Sequence, residues 1–411
     1  MAMGWVNTQL IDPVLHFSYF GFDWVKPLPG PWMYVIFALM VVSSLAIIFG
    51  AFYRVFAPLF FLCFTYVELI DITYYLNHYY FVSIVSFLMI LVPANRSFAW
   101  DAYVKPSIRL THVPRWCVGI FKVQIAIVYL YAGLAKINYD WLFNALPLSV
   151  WLPAQNSLPV IGFIFNYEIT PYLFSWAGML FDTFVIFGLL WRPTRLVSYI
   201  AVVVFHTLTG LFFQIGVFPL VMIFSVTLFF APSFHESILS YLGKVFSNTR
   251  SNEEPGYLRS QRVFYPFLVL FLAFQLLFPW RYLLYDGNVF WTEEGYRFAW
   301  RVMLMEKAGT ATFYVKDGSQ GREGSVVNHQ FLNAHQEKQM AMQPDLILQF
   351  AHYLEDHFRT GGMQDPQVRA EVLVTLNARP AQLLIDPMVD LTEKKDSWAS
   401  KDWVLKPNFS E

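Results

Sequence analysis

Residues Val118–Ile137 read VGIFKVQIAIVYLYAGLAKI, and Asn138-Tyr139-Asp140-Trp141 follow at once. About 20 consecutive apolar residues are enough to cross a bilayer, so the stretch reads as a membrane span. Lys136 lies at its end. An amine next to hydrocarbon loses hydration, which favours its neutral form, and a neutral amine at a membrane edge is a usable base. The alternative is a lysine that snorkels to the interface. An ionisable group in a span is a functional candidate by default.

The rest of the chain extends this reading. The 411 residues are 56% apolar, 19% aromatic and only 14% charged. So few charges cannot coat a soluble surface of this size. The formal net charge of -1 argues against a nucleic-acid partner. Cys63 and Cys117 both fall in or beside apolar runs. They read as small core residues rather than a disulfide or metal pair. The N-terminus, MAMGWVNTQLIDPVLHFSYF, has no basic n-region and no clean apolar h-region. No cleaved signal peptide is expected.

Hydropathy marks eight candidate spans, at 33–53, 55–76, 79–93, 116–137, 170–191, 194–213, 214–231 and 263–279. The third and eighth are short. Residues 1–32, rich in aromatics and Pro, form an interfacial segment ahead of a transmembrane domain at 33–279. The stretch 141–169 is too broken by Pro and Asn to span. It re-enters or caps a cavity if protein or water satisfies its backbone. Basic residues then alternate from loop to loop. Arg54 follows span one, Arg96, Lys105, Arg109 and Arg115 follow span three, and Arg192 and Arg195 follow span five. Lys244, Arg250, Arg259 and Arg262 follow span seven. The connections at 77–78, 138–169 and around Gln214 carry no Lys or Arg. The odd-numbered loops should therefore be cytoplasmic. Residues 280–411 then lie outside the cytoplasm: periplasmic or extracellular, or luminal in a eukaryote.

That last segment is richer in charge. Thr312–Lys316 and Val372–Leu376 read as strands, the first ending at the turn pair Asp317-Gly318. Pro344 opens a helix with an apolar stripe of Ile347, Phe350/Ala351, Leu354 and Phe358, ended by Gly361-Gly362. The expected fold is a polytopic α-helical membrane protein of about eight helices, with a C-terminal extracytoplasmic mixed α/β domain.

The topology places His78, Lys136 and His206 in the outer half of the membrane, beneath that domain. A lone histidine in a span is more often a helix–helix hydrogen bonder than a catalyst. Three ionisable groups at one depth shift the balance towards a site. Glu68 and Asp71 are also intramembrane acids, and pairing with Lys122 or Arg54 is expected for them. No H-E-x-x-H, Cys/His cluster, Walker pattern or G-x-S-x-G elbow occurs. No metal site is expected. A buried amine with histidines and an aromatic lining suits proton abstraction from a lipid-soluble acid such as a quinol hydroxyl.

At these residues the chain resembles the vitamin K-dependent γ-glutamyl carboxylase family, including its bacterial homologues with the HTTM membrane domain. The resemblance runs through Leu76-Asn77-His78-Tyr79-Tyr80, Ala94-Asn95-Arg96-Ser97 with Asp101, and Ala132-Gly133-Leu134-Ala135-Lys136 with Asp140-Trp141. It continues at Phe205-His206 with Leu211-Phe212, Gln214–Phe218, Phe278–Arg281, Thr292–Tyr296, Phe298-Ala299-Trp300 with Met303, and Asp386-Pro387. The resemblance implies that Lys136 deprotonates reduced vitamin K, or a menaquinol in a bacterium. O2 then oxygenates the quinol anion, and the product is a base strong enough to take a γ-proton from a protein glutamate. The carbanion captures CO2, and the vitamin leaves as its epoxide. His78 would assist at the carbanion and CO2 step, and His206 matches another histidine needed for activity. Asn77, Tyr79, Asp140, Trp141 and Phe212 would line the quinol site. Tyr296, Arg297 and Trp300 would hold the acceptor, a glutamate-containing secreted protein or peptide, or would form a packed corner.

Three departures stand out. Animal carboxylases continue well beyond the point matching residue 411. Their outer cysteine pair has no counterpart. Met305 replaces a histidine that follows the family's Trp-x-Met-Met run. Three functions follow: a quinol-dependent carboxylase, a quinol epoxidase that carboxylates nothing, or a non-enzymatic scaffold binding lipid or quinone.

Overall fold

The structure, a computed structural model, describes residues 4–110, 112–213, 215–243 and 264–409. The basic cluster Lys244, Arg250, Arg259 and Arg262, and Gln214, lie outside the described residues. The chain is a polytopic helical membrane protein whose C-terminal part folds around a small antiparallel sheet. Its long apolar helices are α1 (Pro31–Phe49), α2 (Tyr53–Ile70), α3 (Asn77–Leu91), α4 (Trp116–Ala135), α5 (Ile169–Leu190) and α6 (Arg195–Phe212). They are followed by α7 (Phe218–Val226), α8 (Pro232–Gly243) and α9 (Phe264–Leu277).

Eight full spans are expected from hydropathy. The structure has six helices of span length among the described residues, or seven if a bent pair counts as one. The difference has two sources. Helix α3 has 15 residues, which at about 1.5 Å each cover roughly 22 Å, short of the ~30 Å hydrocarbon core. The seventh run, 214–231, is helical only from Phe218 to Phe229, and the helix that follows it, from Pro232, leaves at 115°. Hydropathy registers composition and not where a helix begins, ends or points. The last span is completed by a 3-10 turn, Phe278–Leu284, after α9.

The intramembrane acids do not pair as expected. Glu68 accepts from Ser83 Oγ at 2.5 Å. Asp71 accepts from Thr73 and, at 2.7 Å, from Gln336 of the C-terminal domain. Arg54 donates to the Ile90 carbonyl, and Lys122 lies over the Phe229 ring. Arg54 and Glu68 sit at opposite ends of α2, about 21 Å apart along the axis, so no ion pair between them is possible.

The C-terminal sheet has the order β2-β1-β3-β4, with β1 Lys307–Asp317, β2 Glu323–Ser325, β3 Pro366–Leu376 and β4 Gln382–Leu383. The two strands read from sequence are halves of 11-residue strands, paired throughout from Lys307↔Leu376 to Asp317↔Pro366. Their other halves are too small or polar to signal alone and are recruited by that pairing. Alternate residues of β3, Val368 through Leu376, face a helix, α11 (Pro344–Thr360), after the shorter α10 (Ala334–Met340). Helix α11 starts at Pro344 and is capped by Gly361, as its sequence specifies. Phe313 packs edge-on to Phe350 at 4.9 Å in this core.

The C-terminal domain sits on one end of the helices. Asn77 Nδ2 donates to the Arg301 carbonyl at 2.9 Å, and the Phe298 amide donates to Tyr75 Oη at 2.8 Å. Residues 15–19 are wedged between the two parts: Ser18 and Gln349 exchange two hydrogen bonds, and Phe17 is buried. The N-terminal segment is therefore packed into protein here, not spread only along an interface.

Candidate active site

Helices α4 and α5 approach closely at Gly133. A Cβ there would lie 2.6 Å from the Thr183 amide nitrogen. Only glycine permits this approach, and it sets the next residues in place. Three positions after Gly133, Lys136 turns back towards α5. Its Nζ lies 2.8 Å from Asp182 Oδ2 and donates to the Ala132 carbonyl at 3.2 Å. Lys136 is 6% exposed, so it does not snorkel.

Trp141 lies over this amine, with Nζ 5.2 Å from the ring. Asn138 caps the short helix Tyr139–Phe143 through the Trp141 amide, and the Trp141 indole donates to the Ser175 carbonyl at 2.8 Å. Ser175 Oγ returns a bond to the Trp141 carbonyl. The broken stretch after the span thus folds over the lysine as a lid of fixed geometry.

These groups line a cavity of about 100 Å³. Tyr129, Phe205, His206 and Phe213 form much of its wall, and Val302 and Met303 close it from the segment after the last span. His206 bonds Tyr129 Oη through Nε2 at 2.8 Å, while its buried Nδ1 has no partner among the described residues. An orphaned buried polar atom is costly, and a polar ligand atom would satisfy it. If the tyrosine donates, Nδ1 carries a proton to offer; if the histidine donates, Nδ1 accepts. His78 lies just outside. Its ring and that of His206 each lie 5.7 Å from the Phe218 ring.

A second cavity, of about 290 Å³, opens between the helices and the C-terminal domain. It is polar. Tyr75, Tyr296, Arg297, Met305, Lys307 and Lys338 line it. Met303 lines the first cavity and Met305 the second, so their Cα atoms are at most about 7 Å apart. The chain leading into this segment is strained. Glu293, Phe298, Trp300 and Met303 hold φ between 54° and 58°, a left-handed conformation that costs non-glycine residues about 1–3 kcal/mol each and recurs at functional sites. Packing holds it in place, with Trp300 stacked on Tyr80 at 4.9 Å.

The cations of the second cavity are mostly committed. Arg297 pairs with Asp345 at 2.6 Å and also bonds Gln343; Lys307 pairs with Glu293 at 2.8 Å. Burial pushes the Asp345 carboxyl up, but the Arg297 guanidinium outweighs it and holds the group below the usual aspartate range. Burial in turn lowers the Lys307 amine despite Glu293. Lys338 is exposed at the mouth with no ion pair among the described residues.

Of the residues read from sequence, Lys136, His206 and Trp141 meet in the first cavity, and Tyr296 and Arg297 in the second. Others stand elsewhere. Phe212 is buried against Phe165 and Phe174, and its neighbour Phe213 faces the cavity. The helix ends at Phe212 and Phe213 is already extended, a change of backbone direction that hydropathy does not resolve. Asp140 accepts both Arg379 nitrogens, at 2.6 and 2.8 Å, and Asn377 at 2.8 Å, so it ties the two parts together. Asn77 bonds the Arg301 carbonyl, Tyr79 packs on Phe64, and Trp300 is in the helical core. Asp182 was not singled out from sequence. Its signal was there: a lone acid inside an apolar span.

The comparisons agree with this architecture. The family model of the HTTM domain matches residues 1–234. The model of the vitamin K-dependent gamma-carboxylase lumenal domain matches residues 260–409. No solved structure matches the chain. With both models in sequence, covering the helices and the sheet domain in turn, the chain belongs to the vitamin K-dependent gamma-glutamyl carboxylase family.

Proposed function

We propose that this protein couples oxygenation of a reduced naphthoquinone, vitamin K hydroquinone or a menaquinol, to γ-carboxylation of glutamate in a secreted protein or peptide. One observation carries the reading: an apolar cavity holding a buried amine lies next to a polar cavity, with Met303 and Met305 of one short segment in each. The residues fit a quinol. Aromatic side chains cover its rings, and His206 Nδ1 and Lys136 Nζ offer polar contacts to its oxygens.

When bound, the reduced quinone supplies, through its reaction with O2, a base far stronger than any amine; CO2 is the other co-substrate. The chain's own groups do the rest. Lys136 takes a proton from the hydroxyl in the first cavity. His206, held by Tyr129, fixes the oxygen's place. Trp141 and the lid over it exclude water, which protects a reactive base from quenching. His78, behind Phe218, assists at the carbon that gains CO2. In the second cavity Tyr296 and Lys338 receive the glutamyl carboxylate, while Arg297, already paired, supports the wall. Residues 1–32 and 33–279 make the membrane part, and 280–411 the part outside the cytoplasm.

The test is direct. Purified protein with reduced vitamin K, bicarbonate and a glutamate peptide should form epoxide and fix labelled CO2, and Lys136→Ala should lose both. The internal pairing of Arg297 and Lys307, with Met305 in the second cavity, favours one other reading, an epoxidase without carboxylation. Epoxide with no fixed CO2 selects it.

A further inference from the structure

A base must be free of its proton, yet the structure sets a carboxylate on this amine. Lys136 Nζ and Asp182 Oδ2 are 2.8 Å apart, both nearly sequestered from solvent. Among the described residues no other charged side chain lines the cavity; the remaining titratable groups there are Tyr129 and His206, which are bonded to each other. A carboxylate at this distance attracts a cationic partner directly. The bonds to Asp182 and the Ala132 carbonyl also fix where Nζ points.

We propose that Asp182 is the positioning residue that sets the charge of Lys136: in the resting protein it holds the lysine as an ammonium and so restrains it as a base. This rests on Lys136 being the base. To act, the ammonium passes its proton along the 2.8 Å bond. The N–H bond breaks, its electron pair stays on nitrogen, and an O–H bond forms on Asp182. The amine then takes the hydroxyl proton of the quinol, whose electron pair stays on oxygen. In a dry cavity the neutral amine–acid pair is within reach of the ion pair, because two buried charges give up their hydration. Removing the carboxylate charge skips the first transfer. An Asp182→Asn protein should present its amine already free of the proton, and so consume quinol without restraint.

The probe is a naphthol, which binds as a quinol does but reports ionisation by absorption with no oxygen chemistry. Under anaerobic conditions, Lys136→Ala should abolish ionisation of the bound naphthol. Asp182→Asn should raise its ionised-to-neutral ratio about tenfold or more over wild type. Asp182→Glu, which restores the charge, should return it towards wild type. A ratio in Asp182→Asn equal to or below wild type, with Lys136→Ala still abolishing ionisation, overturns the role of Asp182 and leaves the base reading standing. Undiminished ionisation in Lys136→Ala overturns both. Should Asp182→Asn fail to fold, nitrogen NMR of lysine-labelled wild-type protein decides. With the signal assigned by its loss in Lys136→Arg, an ammonium nitrogen in the ligand-free protein is expected, and an amine nitrogen overturns the proposal.

Discussion

Gly133→Ala should damage the site without touching any group in it. The alanine Cβ would stand 2.6 Å from the Thr183 nitrogen and 2.9 Å from its Cα. Comfortable contacts begin near about 3.5 Å, so α4 and α5 must separate by roughly 1 Å. Backbone atoms cannot swing aside as a flexible side chain would. Overpacking of this kind costs about 1–3 kcal/mol. The same shift falls on the Lys136–Asp182 contact, since Asp182 adjoins Thr183 and Lys136 is one turn from Gly133. At 2.8 Å the pair is a good hydrogen bond; about 1 Å further it is not. A 1 Å misplacement costs about 100-fold in rate. The assays are thermal unfolding in detergent and the rate of quinol oxidation. Gly119→Ala is the control. It lies in the same helix, and nothing stands within 4 Å of its added Cβ. There alanine should be neutral or stabilising by up to about 1 kcal/mol. Wild-type stability and turnover in Gly133→Ala would refute the claim that close helix approach positions the lysine.

Three other perturbations test separate joints. Asp140→Ala and Arg379→Ala should each loosen the two parts, with a double-mutant coupling of about 2 kcal/mol, since the pair is bidentate and mostly buried; unfolding of the four proteins measures it, and simple additivity would refute it. Burial raises the Asp140 carboxyl, but Arg379, Asn377 and Asn144 outweigh it and leave it below the ordinary 3.8. Its contribution is therefore complete above that value and lost as pH falls through the lower folded one, so acid should release proteolytic cuts between the parts in wild type more than in Asp140→Asn. His206→Phe should weaken quinone binding about tenfold, the worth of one buried hydrogen bond, and an unchanged dissociation constant would remove His206 from the quinol site. Lys338→Ala should raise KM for a glutamate peptide about tenfold and leave quinol affinity alone; a change in quinol affinity instead would move Lys338 out of the acceptor site.

Much of this protein was legible in one dimension. Membrane spans announce themselves because a bilayer demands long apolar runs, and Val118–Ile137 meets that demand by composition alone. Helix α11 was fixed at both ends by Pro344 and Gly361, residues whose backbone preferences act locally. Lys136 stood out because charge beside hydrocarbon is expensive. The ordered motifs around it matched a family that both domain models support.

Tertiary structure decided what local preference could not. Whether a run crosses the membrane depends on how far its helix extends and where it points, and the chain bends by 115° after Phe229. Phe213 faces the cavity and Phe212 does not, because the helix ends between them and the backbone turns extended at Phe213. Asp140, adjacent to the lid tryptophan, was claimed by Arg379, which lies 239 residues away in sequence. Above all, the amine that sequence presented as a free base has a partner. Asp182 comes from another helix, brought to 2.8 Å by the absence of a side chain at Gly133. The sequence determined that Lys136 must be costly; only the folded chain determined which charge offsets that cost, because electrostatic pairing depends on distance in space and not along the chain.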